Sequence, residues 1–449
     1  SLNFYRTTPV TPTNMNTVSR SSPQQQVAGV LILLMIFSSV LGASGLQDFL
    51  WISGISALVA LILLWPRMSR TQHIQCGIFF GVGFLGLGLA WVNGYREIPI
   101  QRFITQNHLL ISLLSAVSFL RLITDTRLET PEVIKTGSKA FWQTIGGVHL
   151  FASVINISAF IIFGDALKKN GRLDRTTATS IQRGFALAAL WSPFFAAMGT
   201  CLLYAPGSKW THLLPLSIPI TVLGLTITWA EHRFRKNGNL DLFKGYPVNF
   251  HALWVPSLMV VCVLIAHNIL PQISVLVLVS ALSISITTVV LIAKRHLLPA
   301  LKTIQDFSQN RLPDIYGELA LFFSTGVMAT GITVFIGQAP LTFGIEAFTP
   351  AIAVIVMGVL LLLAFIGVHA IVSIVAASAI LLPLNPDPLM LALIFLVTWS
   401  VGSTGGPISG LNLAMQGRYG ITAFQCFAWN IIYTLIIFIG SSILILTIF

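Results

Sequence analysis

The chain has 449 residues, of which 55% are hydrophobic and only 9% charged, and its mean hydropathy is +0.86. A soluble domain carries roughly a quarter of its residues as charged side chains, whereas many apolar runs here reach the ~20 residues that cross a bilayer as a helix. An ordinary soluble fold is therefore excluded, and the composition predicts an all-α polytopic integral membrane protein. Basic residues on short cytoplasmic loops explain the net charge of +11 better than nucleic acid does, so no nucleic-acid partner is expected.

Residues 1–26 open the chain with a polar stretch rich in Thr, Ser, Pro and Gln, which predicts a disordered cytoplasmic tail. The four cysteines lie far apart, in or beside apolar runs, and neither a CxxC pair nor a Cys/His cluster occurs. Neither a disulfide framework nor a metal site is indicated, and no cofactor is expected.

The apolar segments that follow fall into two halves with the same order of elements, and together they predict about 11 transmembrane helices. In each half, scaffold helices precede a hairpin, a broken helix and a closing helix. The first half, 27–230, has its scaffold at 27–122, its hairpin at 140–164, its broken helix at 184–204 and its closing helix at 210–230. After a cytoplasmic loop at 231–249, the second half, 250–449, has these elements at 250–337, 350–383, 388–411 and 420–447.

The basic residues of the loops indicate the orientation of the chain, because cytoplasmic loops are enriched in Lys and Arg. The basic clusters fall on one side of the membrane only if the segments at 140–164 and 350–383 each enter and return as a re-entrant hairpin. The amino terminus is then cytoplasmic and the carboxyl terminus outside, in what we expect to be a bacterial inner membrane. Arg121 and Arg183, near predicted inner helix ends, could attract an anion, but we interpret them as loop arginines that snorkel.

The two predicted hairpins share sequence when His149 is aligned with His369. A second echo, at the broken helices, joins Trp191-Ser192 to Trp399-Ser400. We interpret the halves as repeats, inverted across the membrane if each holds an odd number of crossings, which is typical of secondary transporters with Gly/Pro-interrupted helices. A chance echo between Gly/Ser/Ala-rich packing helices is the alternative. The identical pairs at the hairpins are Gly147/Gly367, Val148/Val368, His149/His369, Ser153/Ser373, Ser158/Ser378 and Ala159/Ala379.

Three stretches resemble motifs of divalent-anion:sodium symporters. The run "SIVAASAILLPL" (373–384) resembles their Ser-Asn-Thr hairpin tip, with Ser373-Ile374-Val375 in that place. The run "WSVGSTGGPISGLNLAMQGRYGITAFQCFAWN" (399–430) resembles their second signature, a helix broken near a Gly-Thr-Pro-Pro-Asn-like turn, and "WSPFFAAMGTCLLYAPGSKWTHLLPLSIP" (191–219) is similar to the same element of the first half. The order of elements, occurring twice, is similar to the ion transporter superfamily as a whole. The resemblance implies a homodimer formed through the scaffold helices and an elevator movement of the hairpins and broken helices.

Helices that break inside the membrane free backbone groups that lipid cannot satisfy, so the breaks are buried or line a wet cavity. Helix N-termini carry about half a positive charge each, and four of them meeting at the midplane would form an anion site. The histidines at the two hairpin tips either contact the ligand or carry a proton, or they only lock the tips to backbone carbonyls. The candidate solute- or ion-binding residues, with a possible Na⁺ site near Ser153 and Ser373, are His149, Ser153, Asn156, Ser192, Thr200, His369, Ser373, Ser400, Ser403, Thr404, Ser409 and Asn412.

These features favour a secondary active transporter that moves a small anionic solute by alternating access, coupled to H⁺ or Na⁺, with membrane lipid as a further partner. The candidate core segments contain no mid-membrane Asp or Glu, which disfavours a cation pump. A channel or uncoupled facilitator and an exporter of a hydrophobic or lipid-linked anion are the alternatives. An intramembrane enzyme with His149 and His369 as metal ligands would need a third ligand that the sequence does not place nearby, so no enzymatic activity is expected.

Overall fold

The fold is taken from a computed structural model that describes residues 21–124, 136–235, 240–246, 253–339, 344 and 346–449. The predicted tail up to residue 20, part of the stretch between the first scaffold and the first hairpin (123–139) and part of the predicted loop at 231–249 lie outside these residues. Within the described part of the chain the regular elements are helices, accompanied by two isolated β-bridges. The prediction of an all-α fold is confirmed for those residues.

Nine helical segments of the described chain are long and apolar enough to cross a bilayer, so the protein is a polytopic integral membrane protein. The prediction of about 11 spans also counted α11, which is short at 16 residues, and the interrupted pair α8–α9. The helices are α1 Pro23–Ala43, α2 Asp48–Leu64, α3 Arg70–Val92, α4 Ile100–Thr105, α5 His108–Ser118, α6 Gly137–Ile155, α7 Ile157–Leu167, α8 Arg175–Ala188, α9 Ala196–Tyr204, α10 Trp210–Phe234, α11 Trp254–Ile269, α12 Val275–Arg295, α13 Leu297–Asn310, α14 Tyr316–Gln338, α15 Pro350–Phe365, α16 Ala370–Leu381, α17 Pro388–Gly405, α18 Gly410–Tyr419 and α19 Ala423–Ile448.

Polar caps set the first residues of several membrane helices. The Ser22 side chain accepts a hydrogen bond from Gln25 N while the Gln25 side chain accepts one from Ser22 N, and the same capping box begins α3 and α19. Because this box satisfies two otherwise free N–H groups, α1 begins at Pro23, inside the stretch that the sequence predicted as a tail.

Helix α8 begins well before its predicted start at 184, within a stretch that the sequence predicted as a basic loop. Asp174 caps it by accepting a hydrogen bond from Thr177 N at 3.3 Å. Its polar side chains are buried because partners inside the protein satisfy them, and Arg183 is fully buried. The prediction that Arg183 is a snorkelling loop arginine is therefore wrong.

Glycines allow α3 and α14 to cross at backbone contact. A Cβ atom added at Gly83 would lie 2.6 Å from Val327 O, and one added at Gly86 would lie 2.6 Å from Gly331 O. A Cβ at Gly331 would overlap the backbone of Gly83. Small residues at such a crossing let membrane helices approach closely and gain van der Waals contact.

In each half, two interruptions divide the helices that follow the scaffold, so there are four interruptions in all. Asn156, with a φ of +52°, separates α6 from α7, and residues 189–195 separate α8 from α9. Residues 366–369, which include Gly367 with a φ of +100°, separate α15 from α16, and residues 406–409 separate α17 from α18. Helices α6 and α7 pack on α8, α15 and α16 pack on α17, and α17 contacts α8 and α9, so these contacts bring the interruptions of the two halves together.

The crossing of α3 and α14 gives a stability prediction. We expect Gly331→Ala to lower the free energy of unfolding by about 1–3 kcal/mol, because the new methyl group has no space against the backbone of Gly83. Gly88→Ala is the matched control, since a Cβ there meets no atom within 4 Å. Unfolding of the purified variants by SDS titration in mixed micelles measures the difference, and equal stability of the two variants would contradict this packing.

Candidate functional site

A cavity of about 300 Å³ lies where the four interruptions meet. Each interruption contributes to its wall: Asn156 and Ile157 at the first, Ala189, Phe195 and Ala196 at the second, Val368 and His369 at the third, and Gly406 and Ser409 at the fourth. Its volume is at the lower end of the range for ligand cavities. A site at this position is therefore formed by the ends of several interrupted helices rather than by one continuous helix.

The helices that restart in the first half present uncapped N-termini at this cavity. Helix α7 follows Asn156, and α9 follows Phe195; neither preceding residue makes a side-chain cap hydrogen bond. The first residues of both helices, Ile157 and Ala196, line the cavity. Free N–H groups together with the positive end of the helix dipole make such ends favourable for a negative charge.

The helices that restart in the second half have side-chain caps. His369 Nδ1 accepts a hydrogen bond from Ile371 N at 3.3 Å, and Ser409 Oγ accepts one from Asn412 N at 3.1 Å. The His369 ring also lies edge-on to the Trp399 ring, with 5.6 Å between centroids. The two halves therefore differ at this cavity, because one leaves helix N–H groups free and the other caps them.

Side-chain amides satisfy the carbonyl groups freed where α17 ends. Thr404 O accepts N–H groups from Gln182 at 3.0 Å, Asn412 at 3.0 Å and Asn430 at 3.2 Å, and the Asn412 amide also donates to Gly406 O at 2.9 Å. In the first half, Asn156 Nδ2 donates to Phe194 O at 3.2 Å. These carbonyls are therefore bound within the protein.

A buried arginine extends this amide network to the end of α10. Arg183 donates from Nε to Asn430 Oδ1 at 2.8 Å, from Nη1 to Glu231 Oε2 at 2.6 Å and from Nη2 to Trp429 O at 2.9 Å. Its guanidinium also lies over the Tyr433 ring, 4.4 Å from the centroid. A buried charge needs such complete pairing, so Arg183 ties α8 to α10 and α19 and does not reach the cavity wall.

The sequence prediction selected Asn156, His369, Ser403 and Ser409, and the structure brings these four to the cavity wall. The others lie outside it, and most of their side chains bond to backbone carbonyls: Ser153 to Leu150 O, Ser192 to Ser153 O, Ser373 to Ala370 O, Ser400 to Ala186 O, Thr404 to Val401 O, and Asn412 as above. Thr200 Oγ1 is buried and has no hydrogen-bond partner. Neither Ser153 nor Ser373, near which a Na⁺ ion was expected, lines the cavity.

The two histidines do not occupy equivalent places. His149 lies inside α6, where Nδ1 is 2.9 Å from Gly184 O and Nε2 accepts a hydrogen bond from Trp191 Nε1 at 2.9 Å. His369 is the last residue of the third interruption and the N-cap of α16. The expectation that both histidines lie at hairpin tips is wrong, because His149 lies inside α6. Each histidine ring does contact the tryptophan of its own half.

Sequence reasoning missed Glu318, which lines the cavity from the first turn of α14. Its place near an end of a predicted helix argued against a role in the site. The available signal was its position inside the predicted scaffold at 250–337. Gln182 and Asn430 were missed as well, because the first was assigned to a loop and the second to a closing helix.

Comparisons with known proteins assign the chain to no family. No protein-family model matches the chain, and no curated protein matches it. Among solved structures, the chain is similar to the YdaH transporter of Alcanivorax borkumensis, whose crystal structure reveals an unusual topology, with 16% sequence identity over 94% of this chain and 98% of that one. The TM-score is 0.43, which is too low to support a conclusion about fold or function.

The contacts of His149 give a prediction that separates a locking role from a ligand role. His149→Ala leaves the Trp191 N–H and the Gly184 carbonyl without partners, and each buried unpaired group costs about 1–3 kcal/mol. We expect this variant to unfold at a lower SDS fraction than the wild type, while His149→Gln, which can still donate and accept, loses less. His212→Ala, at an exposed histidine, is the control. A His149→Ala protein as stable as the control would contradict the locking role.

Proposed function

We propose that this protein is a secondary active transporter that moves a small anionic solute across the membrane by alternating access, coupled to H⁺ or Na⁺. The observation that carries the proposal is the meeting of all four helix interruptions at one cavity. Irregular backbone at membrane depth is tolerated where it lines a cavity or is buried in protein, and interrupted helices around a central site are typical of secondary transporters.

The cavity supports an anionic solute of small size. Two uncapped helix N-termini, those of α7 and α9, begin at its wall, and the hydroxyl-bearing residues Ser403 and Ser409 line it from the other half. These N–H and O–H groups can donate to carboxylate, phosphate or sulfate oxygens. The volume of about 300 Å³ suits a compact molecule.

The proposed movement follows from the division of the fold. We propose that the two halves are inverted repeats, that α6–α7 and α15–α16 are re-entrant hairpins, and that they move as an elevator with the broken helices against a scaffold of a homodimer. The close crossing of α3 and α14 supports a rigid scaffold, and the recurrence of two interruptions in the same order supports the repeat.

We propose a cytoplasmic amino terminus and an external carboxyl terminus, in a bacterial inner membrane, and the charged ends of the helices support this orientation. Arg67 pairs with Asp314 at 2.9 Å, which joins the end of α2 to the start of α14. Arg418 pairs with Asp165, which joins the end of α18 to the end of α7. Basic residues at these ends agree with the cytoplasmic preference of Lys and Arg.

A second candidate solute is an amphipathic anion with an apolar tail. An apolar cavity of about 650 Å³ lies between α15 and α19, and its lining includes Gly405 and Pro407. Gly402 and Gly406, at the same interruption, line the cavity of about 300 Å³. This proximity would let a charged head group occupy the smaller cavity while a tail occupies the larger apolar one.

Tracer experiments in proteoliposomes test the transport proposal. Acetate, succinate, citrate, phosphate and sulfate are first screened by thermal shift of the purified protein, and octanoate and dodecanoate test the amphipathic alternative. We expect saturable uptake and counterflow of at least one of these anions. Ala196→Phe, which fills the cavity at the start of α9, should reduce uptake at least about tenfold.

The matched control is Ala351→Phe, because Ala351 is exposed near the start of α15. Stronger binding with increasing chain length would favour the amphipathic solute. Conductance without counterflow would replace the carrier with a channel, and equal uptake by the two phenylalanine variants would remove the cavity from the path.

A further inference from the structure

Glu318 is an acidic residue that lines the cavity of about 300 Å³ in which we place the anionic solute. It is the one Asp or Glu among the described residues of the cavity wall. The Glu318 residue is exposed, whereas its neighbours Leu319 and Ala320 are buried. An ionised carboxylate there would repel a bound anion, so a proton on Glu318 changes how well the cavity binds it.

We propose that transport is driven by H⁺ rather than Na⁺, and that Glu318 is the residue that carries the proton. The inference rests on the proposed function and identifies its coupling ion and the group that binds it. The proton adds to a carboxylate oxygen of Glu318, and the solute binds in the same cavity.

The state of the backbone carbonyls disfavours a sodium site at the interruptions. Na⁺ at a broken helix is held by unwound carbonyls and helix C-termini. Here Thr404 O accepts three amide N–H groups and Gly406 O accepts one. In the other half Phe194 O accepts the Asn156 amide, and Ser153 O accepts the Ser192 hydroxyl. A cation would have to displace these donors, and the nearby N–H groups would then repel it.

The histidines near the cavity are committed to other bonds. His369 Nδ1 accepts the N–H of Ile371, so a proton at that nitrogen would break the cap of α16. His149 uses both nitrogens, one at Gly184 O and the other at the indole N–H of Trp191. Glu318 can gain or lose a proton without breaking a helix cap.

The charged groups around Glu318 leave it without an ion pair within 4.0 Å among the described residues. Arg121, after α5, acts on its carboxylate at longer range, and Arg311 and Asp314 act on Arg121. Asp314 is itself paired with Arg67 at 2.9 Å. On α3, which packs on α14, His73 Nε2 is bound to Trp65 O at 3.0 Å. Across the cavity stands His369, which caps α16.

Coupling follows from electrostatics and reciprocity. If the ionised carboxylate weakens binding of the anion, then the bound anion must by the same factor strengthen binding of the proton. Two like charges that share a cavity of this size inside a protein repel by enough to give a factor of about ten. The proton and the anion then bind more strongly together than either binds alone, and symport requires such coupling.

Uptake driven by imposed gradients tests the coupling. Wild-type proteoliposomes are loaded for uptake of whichever anion of the screening panel shows counterflow. We expect an inward proton gradient to raise initial uptake about tenfold, and a sodium gradient with choline as the control cation to leave it unchanged. Glu318→Gln mimics the protonated side chain, so it should keep counterflow while losing stimulation by the proton gradient.

Two further variants keep the test decisive. Glu318→Asp retains a carboxyl group and should retain proton-driven uptake if Glu318→Gln does not fold. Asp314→Asn removes a half-exposed carboxyl at the same end of α14 and should behave as the wild type. Stimulation of wild-type uptake by sodium alone, or full proton stimulation in a folded Glu318→Gln protein, would overturn the proposal.

Infrared difference spectroscopy tests proton binding without any solute. In the lipid-reconstituted protein, titration from alkaline to acidic pH should give a carbonyl band of a protonated carboxyl that is missing in Glu318→Gln and present in Asp314→Asn. An identical band in the wild type and Glu318→Gln would exclude Glu318 as the proton carrier. If no panel anion is transported while the band still depends on Glu318, the transport proposal fails and the proton site stands.

Discussion

The structure depends on one constraint, which is that every backbone N–H and C=O group freed at the four interruptions needs a new hydrogen-bond partner. Inside a bilayer neither lipid nor bulk water can supply that partner, so each freed group needs a partner from the protein or a place at a wet cavity. The carbonyls at the end of α17 find theirs in Gln182, Asn412 and Asn430, which belong to three different helices. The same bonds that satisfy the interruption therefore hold α8, α18 and α19 around it.

The remaining freed groups give the cavity its character. Side-chain amides already donate to the freed carbonyl groups, whereas the N-termini of α7 and α9 have no side-chain caps. The backbone therefore offers a ligand mainly hydrogen-bond donors. Glu318 adds the one titratable acid of the wall among the described residues. In the mechanism that we propose, an anion and a proton are coupled in a single cavity, because each reduces the electrostatic cost of binding the other.

The sequence was informative about the fold wherever composition and glycine content decide the structure. Hydropathy located the membrane segments, and the resemblance of the run at 399–430 to a broken-helix signature indicated the interruption between α17 and α18. The sequence alignment of the two halves was wrong at the histidines, because it pairs His149, which lies inside α6, with His369, which is the N-cap of α16. The burial of Arg183 could not be predicted, since its partners Glu231 and Asn430 lie far away in sequence. Glu318 was missed because a helix end and a cavity wall look alike in hydropathy.

The most direct test of the account asks whether water-soluble reagents reach the place where the interruptions meet. In a protein whose four native cysteines are replaced, Ile408→Cys lies at the cavity wall and Ile394→Cys is buried in α17, nearer its start. We expect a membrane-impermeant methanethiosulfonate to modify the first in proteoliposomes, more slowly when a transported anion is present, and to leave the second unmodified. Equal protection of both cysteines, or reaction that no solute slows, would contradict a central solute cavity.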